Sequence, residues 1–280
     1  MATSINKPLI WVSIILLLAF GFSYRYEGPP TLSAWFGAFI LALIIVSISF
    51  FVHELAHKIV GKKLGILVEP KLWISGAIAL LLLLILSNGA IVFAAPWAVY
   101  MRAKSFRPGT PWLHISPKEK AIVALAGICA NIGLAIFAKI FTPVLGLVSE
   151  QLIRVNLALA FYNLIPWATI LPIMMFQWAS LKPLEAPYIE GEYVFFGSRP
   201  VWAFMFFFTI FLGISFKYFS TFVSLLLSLF FTFGLWIAWH YFLEPELISP
   251  KGPWPIKKSL IAIEKGPTYK TYKKIAKGLR

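Results

Sequence analysis

The sequence contains no aspartate, only one cysteine and few charged residues of any kind. Charged residues make up 13% of the 280 residues, and all eleven acidic side chains are glutamates. Because Cys129 stands alone, an intramolecular disulfide is excluded. The missing aspartate has a chemical consequence, since any carboxylate ligand for a metal ion in this chain must be a glutamate.

Apolar residues take the place of the missing charges. They make up 60% of the chain, and its mean hydropathy is +0.83, which is typical of a polytopic membrane protein. The formal net charge of +14 could suggest nucleic-acid binding, but Lys and Arg residues that flank membrane spans on the cytoplasmic side explain it more simply. We therefore expect membrane lipid as a partner, and no nucleic acid.

Apolar runs separated by turn residues and basic clusters predict an all-α polytopic membrane protein with about six transmembrane helices. A polar, glutamate-bearing loop is predicted over residues 182–199, and a basic tail over residues 244–280. The tail is expected to lie against anionic lipid on the cytoplasmic side of a cell membrane. The chain is thus one membrane domain, residues 1–243, followed by this tail. The predicted spans are residues 8–24, 32–60, 121–147, 151–181, 200–216 and 221–243.

Residues 74–101 form an apolar stretch that follows a short β-like segment around Pro70 and is interrupted at Ser87-Asn88-Gly89, which predicts a turn. The stretch is either one interrupted span or a re-entrant hairpin of two short arms. The hairpin leaves a larger excess of Lys and Arg on one side of the membrane, as the positive-inside rule prefers. Backbone can enter the membrane without crossing it only where protein or a water-filled cavity covers it, which a catalytic site would supply. We therefore predict six spans plus one re-entrant hairpin.

One motif with metal chemistry, His53-Glu54-Leu55-Ala56-His57, lies at the end of the second span. On a helix, residues four apart project from the same face, so the two imidazoles can bind one zinc ion. Zinc lowers the pKa of a bound water to ~7, and Glu54 can take its proton as the hydroxide attacks a carbonyl. The preceding residues, 32–52, contain no Asp, Glu, Lys or Arg, so the motif follows an apolar stretch long enough to lie in hydrocarbon, where ionisable groups are usually functional. The alternative is that these side chains only end a membrane helix near the headgroups.

Four stretches occur in a fixed order: the motif at residues 53–57, Phe93-Ala94-Ala95-Pro96-Trp97-Ala98-Val99-Tyr100, Ala126-Gly127-Ile128-Cys129-Ala130-Asn131 and Phe161-Tyr162-Asn163-Leu164-Ile165-Pro166. Together they resemble the site-2 protease family of zinc intramembrane metalloproteases, and the second is similar to a segment of archaeal members. The resemblance covers roughly residues 35–200 of this chain. It implies Zn²⁺ as the cofactor and hydrolysis of peptide bonds within or near transmembrane segments of membrane-protein substrates. The distribution of Lys and Arg, with the re-entrant hairpin, predicts that the active site faces the cytoplasmic side.

The third zinc ligand departs from the family's pattern. The family's Asp-Gly pair, which follows Asn-x-x-Pro, has no counterpart at Leu171-Pro172. The next acidic residue followed by glycine is Glu190, and the sequence after it is similar to the family's continuation. The resemblance therefore implies Glu190 as third ligand, displaced by an insertion, with Glu192 and Glu185 as alternatives. Glutamate is a competent zinc ligand. The competing interpretation is a loop of solvated charges near the headgroups.

Two asparagines lie within predicted spans, where an amide must find polar partners. The resemblance implies that Asn131 and Asn163 hydrogen-bond the backbone of a substrate or stabilise the oxyanion, whereas interhelical hydrogen bonding accounts for them equally well. Lys139 falls in the middle of the predicted span 121–147, and the sequence offers no explanation for it.

Two classes of function therefore remain after the sequence alone. The first is an intramembrane zinc protease, with Glu54 as the catalytic base and His53, His57 and Glu190 as ligands. The second is a non-proteolytic pseudoenzyme of the same fold that binds membrane helices, which the missing aspartate and Ile128, where the family usually has proline, would favour. Because Zn–O bonds are ~2 Å, a Glu190 more than about 8 Å from both imidazoles would support the second class.

Overall fold

The computed structural model describes residues 7–24, 31–103, 115–167 and 189–243, and within these ranges the chain is mostly helical with one two-stranded sheet. Close packing divides the chain into two units, Met1–Phe231 and Thr232–Arg280. The elements, in chain order, are α1 (Lys7–Tyr24), α2 (Leu32–Lys63), β1 (Ile66–Leu72), α3 (Ile74–Leu86), β2 (Trp97–Ala103), α4 (Pro117–Ile140), α5 (Thr142–Leu145), α6 (Leu147–Leu164), α7 (Glu190–Gly197), α8 (Arg199–Tyr218), α9 (Thr221–Ala238) and a π-helical segment, Trp239–Leu243.

Several of these helices have the length and composition that a membrane span requires. In the part of the chain that the structure describes, four qualify: α2, α4, α8 and the continuous helix formed by α9 and the first residues of the π-helical segment. Helices α1 and α3 are apolar but shorter. The prediction of a mostly helical chain is confirmed, and these four helices are candidate membrane spans by length and composition. The count of six spans plus one re-entrant hairpin stays a prediction.

Helix α2 has a buried face and an apolar outer face. Its buried residues recur every three or four positions, from Ala42 through Phe50 to Gly61, which is the spacing of one side of a helix. The opposite side exposes Phe51, Leu55 and Ile59. A soluble helix would place polar residues there, so an apolar outer face is typical of a helix that meets hydrocarbon.

Strands β1 and β2 pair in an antiparallel ladder, with Ile66 opposite Ala103 and Leu72 opposite Trp97. The β-like stretch predicted around Pro70 is therefore confirmed as β1. The predicted turn after α3 is also present, and both Asn88 and Gly89 have positive φ there, at 49° and 77°. The second arm of residues 74–101 ends as a strand, β2. The chain thus leaves the sheet at β1 and returns to the same sheet at β2.

Helix α4 begins four residues before the predicted span and ends well short of its predicted end. At its start Ser116 and Glu119 form a reciprocal capping box, in which the Ser116 N–H donates to Glu119 Oε2 over 2.9 Å. The helix ends at Ile140, so Lys139 lies in its last turn and the mid-span placement was wrong. The Lys139 ammonium donates a 2.6 Å hydrogen bond to the Phe216 carbonyl in the last turn of α8, which explains why a cation is tolerated there.

The predicted polar loop 182–199 is wrong over residues 190–197, which form the short helix α7. Its start is stabilised by Glu192, whose Oε2 accepts a hydrogen bond from the Ile189 N–H over 2.9 Å. Gly191 packs so closely on the end of α6 that a Cβ there would lie 2.5 Å from the Leu164 carbonyl oxygen. The predicted span 151–181 corresponds to α6, which ends at Leu164 before Pro166. Pro172, Glu185 and the tail 244–280 lie outside the described residues.

Candidate metal centre

Helix α2 carries His53 and His57 on its buried face, one turn apart, and neither side chain is exposed to solvent. Their ring centroids are 4.6 Å apart. The histidines continue the stripe of buried apolar residues that begins at Ala42, so the packing of α2 against its neighbours directs both rings inward. The local sequence therefore fixes where these imidazoles point.

Glu190 reaches the two rings from α7, a distant part of the chain. Its Oε1 lies 2.8 Å from His53 Nε2 and 3.1 Å from His57 Nε2, while the two Nε2 atoms are 3.0 Å apart. The Glu190 side chain is 1% exposed. As the first residue of α7, its carboxylate also lies where the helix dipole favours negative charge.

This triangle of donor atoms fits the coordination of one zinc ion. Two imidazole nitrogens and one carboxylate oxygen are a common ligand set for zinc enzymes, and they leave a fourth position open. Bonds of ~2.0–2.1 Å at a tetrahedral angle would separate ligand atoms by about 3.3 Å, close to the separations observed. In the part of the chain that the structure describes, this is the one group of three such side chains with converging ligand atoms.

The hydrogen bond on the far side of the His57 ring supports this assignment. His57 Nδ1 lies 2.7 Å from the Val123 carbonyl oxygen of α4. A carbonyl can only accept, so Nδ1 carries the hydrogen and donates it. Neutral His57 therefore directs a lone pair on Nε2 towards Glu190 and His53, which is the arrangement that a histidine ligand requires.

The His53 ring is held by two other elements. Its Nδ1 lies 3.0 Å from the amide nitrogen of Asn131 on α4, and the edge of the ring meets Trp97 at the start of β2, with centroids 5.8 Å apart. The sequence left Asn131 open between a substrate contact and an interhelical hydrogen bond, and its contact with His53 is of the second kind. The stretch around Trp97 resembles a segment of archaeal proteins, but the sequence did not predict its contact with His53.

Gly127 allows α4 to approach both imidazoles. A Cβ at this position would lie 2.7 Å from His53 Cε1 and would also overlap the His57 ring at Nε2 and Cε1. No real side-chain carbon makes contacts this close, so only glycine fits without displacement of the rings. The small residues from Ala126 to Ala130 indicated that another element packs closely here, but their spacing did not show that this element carries His53 and His57.

Unpartnered carboxylate oxygens lie in the same buried region. Glu54 is 0% exposed, and neither of its oxygens has a hydrogen-bond partner among the described residues. The same holds for Glu190 Oε2. Buried carboxylates without partners are costly, and such atoms are where a metal ion, a water molecule or a substrate is expected to bind.

The remaining predicted site residues are Glu192, Glu185 and Asn163, and the two that the structure describes lie outside the cluster of three ligands. Glu192 is buried but caps α7, and it does not belong to the cluster, whereas Glu185 lies outside the described residues. Asn163 is 1% exposed, and its Nδ2 has no hydrogen-bond partner within residues that the structure describes. The individual roles of Glu54, His53, His57, Glu190, Asn131 and Asn163 stay predictions.

Comparison with known proteins adds independent information on this chain. Over 158 residues the chain is 35% identical to a protein of Methanocaldococcus jannaschii described as "Putative zinc metalloprotease". The match covers 54% of this chain and 73% of the relative. No family model matches the chain, and no solved structure matches it. Together with the buried cluster, the relative confirms zinc as the cofactor.

The close approach at Gly127 gives a testable prediction. Gly127→Ala should displace the imidazoles, and the overpacking cost of about 1–3 kcal/mol corresponds to about 5- to 150-fold weaker zinc binding. The measurement is chelator competition on the purified protein. Gly133→Ala on the same helix is the matched control, because a Cβ at Gly133 has no atom within 4 Å. Equal zinc affinity in the two variants would contradict the packing described here.

Proposed function

The chain belongs to the family of this archaeal zinc metalloprotease, and from that premise we propose that it is an intramembrane protease. It would hydrolyse peptide bonds within or near the transmembrane segments of membrane proteins, as the resemblance to site-2 proteases implies. The observation that carries the proposal is the buried triangle formed by His53, His57 and Glu190, at the end of the long apolar helix α2. A metalloprotease site at such a position is suited to substrates that are themselves in the membrane.

The proposed chemistry assigns a role to each buried polar group. His53, His57 and Glu190 would hold zinc. When bound, zinc supplies a Lewis acid for the peptide carbonyl and lowers the pKa of a water molecule. Glu54, next to His53 on α2, takes the proton of the attacking water on one of its unpartnered oxygens and later donates it to the leaving amine.

Asn163 is the proposed donor to the substrate carbonyl or the oxyanion. Its buried Nδ2 has no partner among the described residues, so it retains hydrogen-bonding capacity. The next residue, Leu164, contacts Gly191 through its carbonyl group, which brings the end of α6 beside Glu190. An amide at this position can therefore act close to the metal ligands.

A substrate helix must unwind before it can be cleaved, because its amide groups are occupied by its own hydrogen bonds. The unwound strand then needs polar backbone partners. The irregular segment before β2 offers such groups near the site, since Trp97 contacts His53. The break after α6 at Pro166 does so too, because the end of α6 packs against Gly191, next to Glu190. We expect these two backbone segments to receive the substrate.

The alternative function, a helix-binding pseudoenzyme, requires a third ligand that is lost. Glu190 Oε1 lies 2.8 Å and 3.1 Å from the two imidazole nitrogens, far inside the limit of about 8 Å set by the ~2 Å Zn–O bond. This separation supports the enzyme. It also supports a glutamate in the place where the family usually has aspartate.

We also propose a multi-pass arrangement in the cell membrane with the site towards the cytoplasm. Basic residues cluster just beyond the site on α2, at Lys58, Lys62 and Lys63, and at the start of α4, at Lys118 and Lys120. The pairing of β1 with β2 supports a re-entrant course for the residues between them, because the chain leaves from β1 and returns to the neighbouring strand of the same sheet.

The first prediction from this proposal concerns Glu54. Glu54→Gln should retain zinc but lose cleavage of a membrane substrate by at least about 100-fold, since it removes the proton acceptor and keeps the shape. The measurement is cleavage of reconstituted transmembrane test peptides, with zinc content determined in parallel. Exposed Glu150→Gln is the matched control. Wild-type cleavage by Glu54→Gln would contradict the proposed role.

The second prediction concerns the re-entrant course. Exposed Cys129 is first replaced by Ala, and single cysteines are then introduced at exposed Lys71 or Arg102, on β1 and β2. A membrane-impermeant thiol reagent should label both from the cytoplasmic side only, in inverted vesicles and not in intact cells. Labelling of the two positions from opposite sides would show that the residues between them cross the membrane.

A further inference from the structure

Asn131 lies behind His53, on the side of the ring away from the metal-binding triangle. Its amide nitrogen is 3.0 Å from His53 Nδ1, whereas His53 Nε2 faces Glu190 and His57. Asn131 is 0% exposed, and its Oδ1 has no hydrogen-bond partner among the residues that the structure describes. The amide nitrogen of Asn131 therefore lies against His53, whereas its buried Oδ1 has no hydrogen-bond partner among the described residues.

The chemistry of a histidine ligand decides which amide atom should face the ring. An imidazole that offers its Nε2 lone pair to a metal carries its hydrogen on Nδ1, and that N–H needs an acceptor. The amide nitrogen is only a donor, but a 180° rotation of the amide group puts Oδ1 in the same place. This rotamer satisfies the Nδ1–H, and it moves Nδ2 to the buried position where Oδ1 has no partner among the described residues.

His57 shows the same arrangement in another form. Its Nδ1 donates to the Val123 carbonyl, which is also on α4 and can only accept. Val123 and Asn131 are eight residues apart on the helix, and Gly127 lies midway between them, against both rings. One face of α4 thus holds both imidazoles from behind, through a backbone carbonyl for one and the Asn131 side chain for the other.

We propose that Asn131 is a positioning residue, whose Oδ1 accepts the hydrogen of His53 Nδ1 and so orients Nε2 towards zinc. This inference rests on the proposed zinc site, and it differs from the substrate contact that the family resemblance implies for Asn131. The two roles use different atoms of the side chain. Positioning requires an acceptor at Oδ1, whereas oxyanion stabilisation requires the donor Nδ2.

The experiment uses the full-length protein, stripped of metal by a chelator, with zinc affinity measured by competition against a chromophoric chelator. Loss of a partner behind a histidine ligand typically weakens metal binding by about 10- to 100-fold, and we expect this for Asn131→Ala. Asn131→Asp should bind zinc as tightly as wild type or more tightly, because a carboxylate accepts the same hydrogen. The Co²⁺-substituted protein should show an altered visible spectrum for Asn131→Ala and a wild-type spectrum for Asn131→Asp.

Asn156→Ala is the matched control. Asn156 is also a buried asparagine, on α6, but its amide donates to Ser49 Oγ and the Leu152 carbonyl and not to a histidine. Its loss should leave zinc affinity and the Co²⁺ spectrum unchanged, which separates a specific effect from general destabilisation.

Three outcomes would overturn the inference. Asn131→Ala with wild-type zinc affinity would show that Asn131 does not position His53, and Asn131→Asp with zinc binding weakened tenfold or more would show that an acceptor is not what His53 needs. An equal loss of affinity in Asn156→Ala would show that stability alone is responsible. If Asn131→Ala does not fold, the Asp variant still decides. Failure of the wild type itself to bind zinc would instead overturn the proposed function.

Discussion

Two imidazoles and a carboxylate converge where no solvent reaches them, and the elements packed around them hold these three groups in place. A buried carboxylate is stable only when hydrogen bonds or a cation compensate for lost hydration. His53, His57 and Glu190 partly satisfy one another, but three groups at separations near 3 Å from two helices need firm support. A dication at their centre would satisfy all three at once, which explains why the cluster can lie in an apolar core.

Support for the cluster comes from three directions. Helix α4 packs behind the rings through Gly127 and fixes the His57 tautomer through the Val123 carbonyl. Helix α7 brings Glu190, and its own position is set by Gly191 against the end of α6 and by Tyr193, whose hydroxyl donates to the Val99 carbonyl of β2 over 3.3 Å. Strand β2 also places Trp97 against His53. The two-stranded sheet thus connects the helix that carries Glu190 to the ring of His53.

Sequence reasoning succeeded where a pattern determines structure locally. The apolar runs predicted helices because membrane spans need long stretches without charge. The spacing of His53 and His57 predicted that they share one helix face, because helical geometry is regular. Glu190 followed from a different argument: the absence of aspartate left only glutamates, and the resemblance to the site-2 proteases pointed to the Glu190-Gly191 pair among them. Its short distance to the imidazoles supports that choice.

Other features depended on long-range contacts that spacing does not encode. The segment at Glu190 was predicted as a loop, although Glu192 and close packing at Gly191 make it a helix. The end of α4 was placed too late, because nothing in the sequence shows that Lys139 meets the Phe216 carbonyl. The Val123 carbonyl beside His57 is a backbone group, which no motif can reveal.

The most direct test of the account is the zinc content and zinc affinity of the detergent-purified protein. Wild type should hold about one zinc per chain. His53→Ala and Glu190→Ala should lose it or bind it at least about 10-fold more weakly, and exposed Glu150→Ala should retain it. A wild-type protein without zinc, or a Glu190→Ala variant that binds zinc as tightly as wild type, would contradict the claim that these three side chains form one metal site.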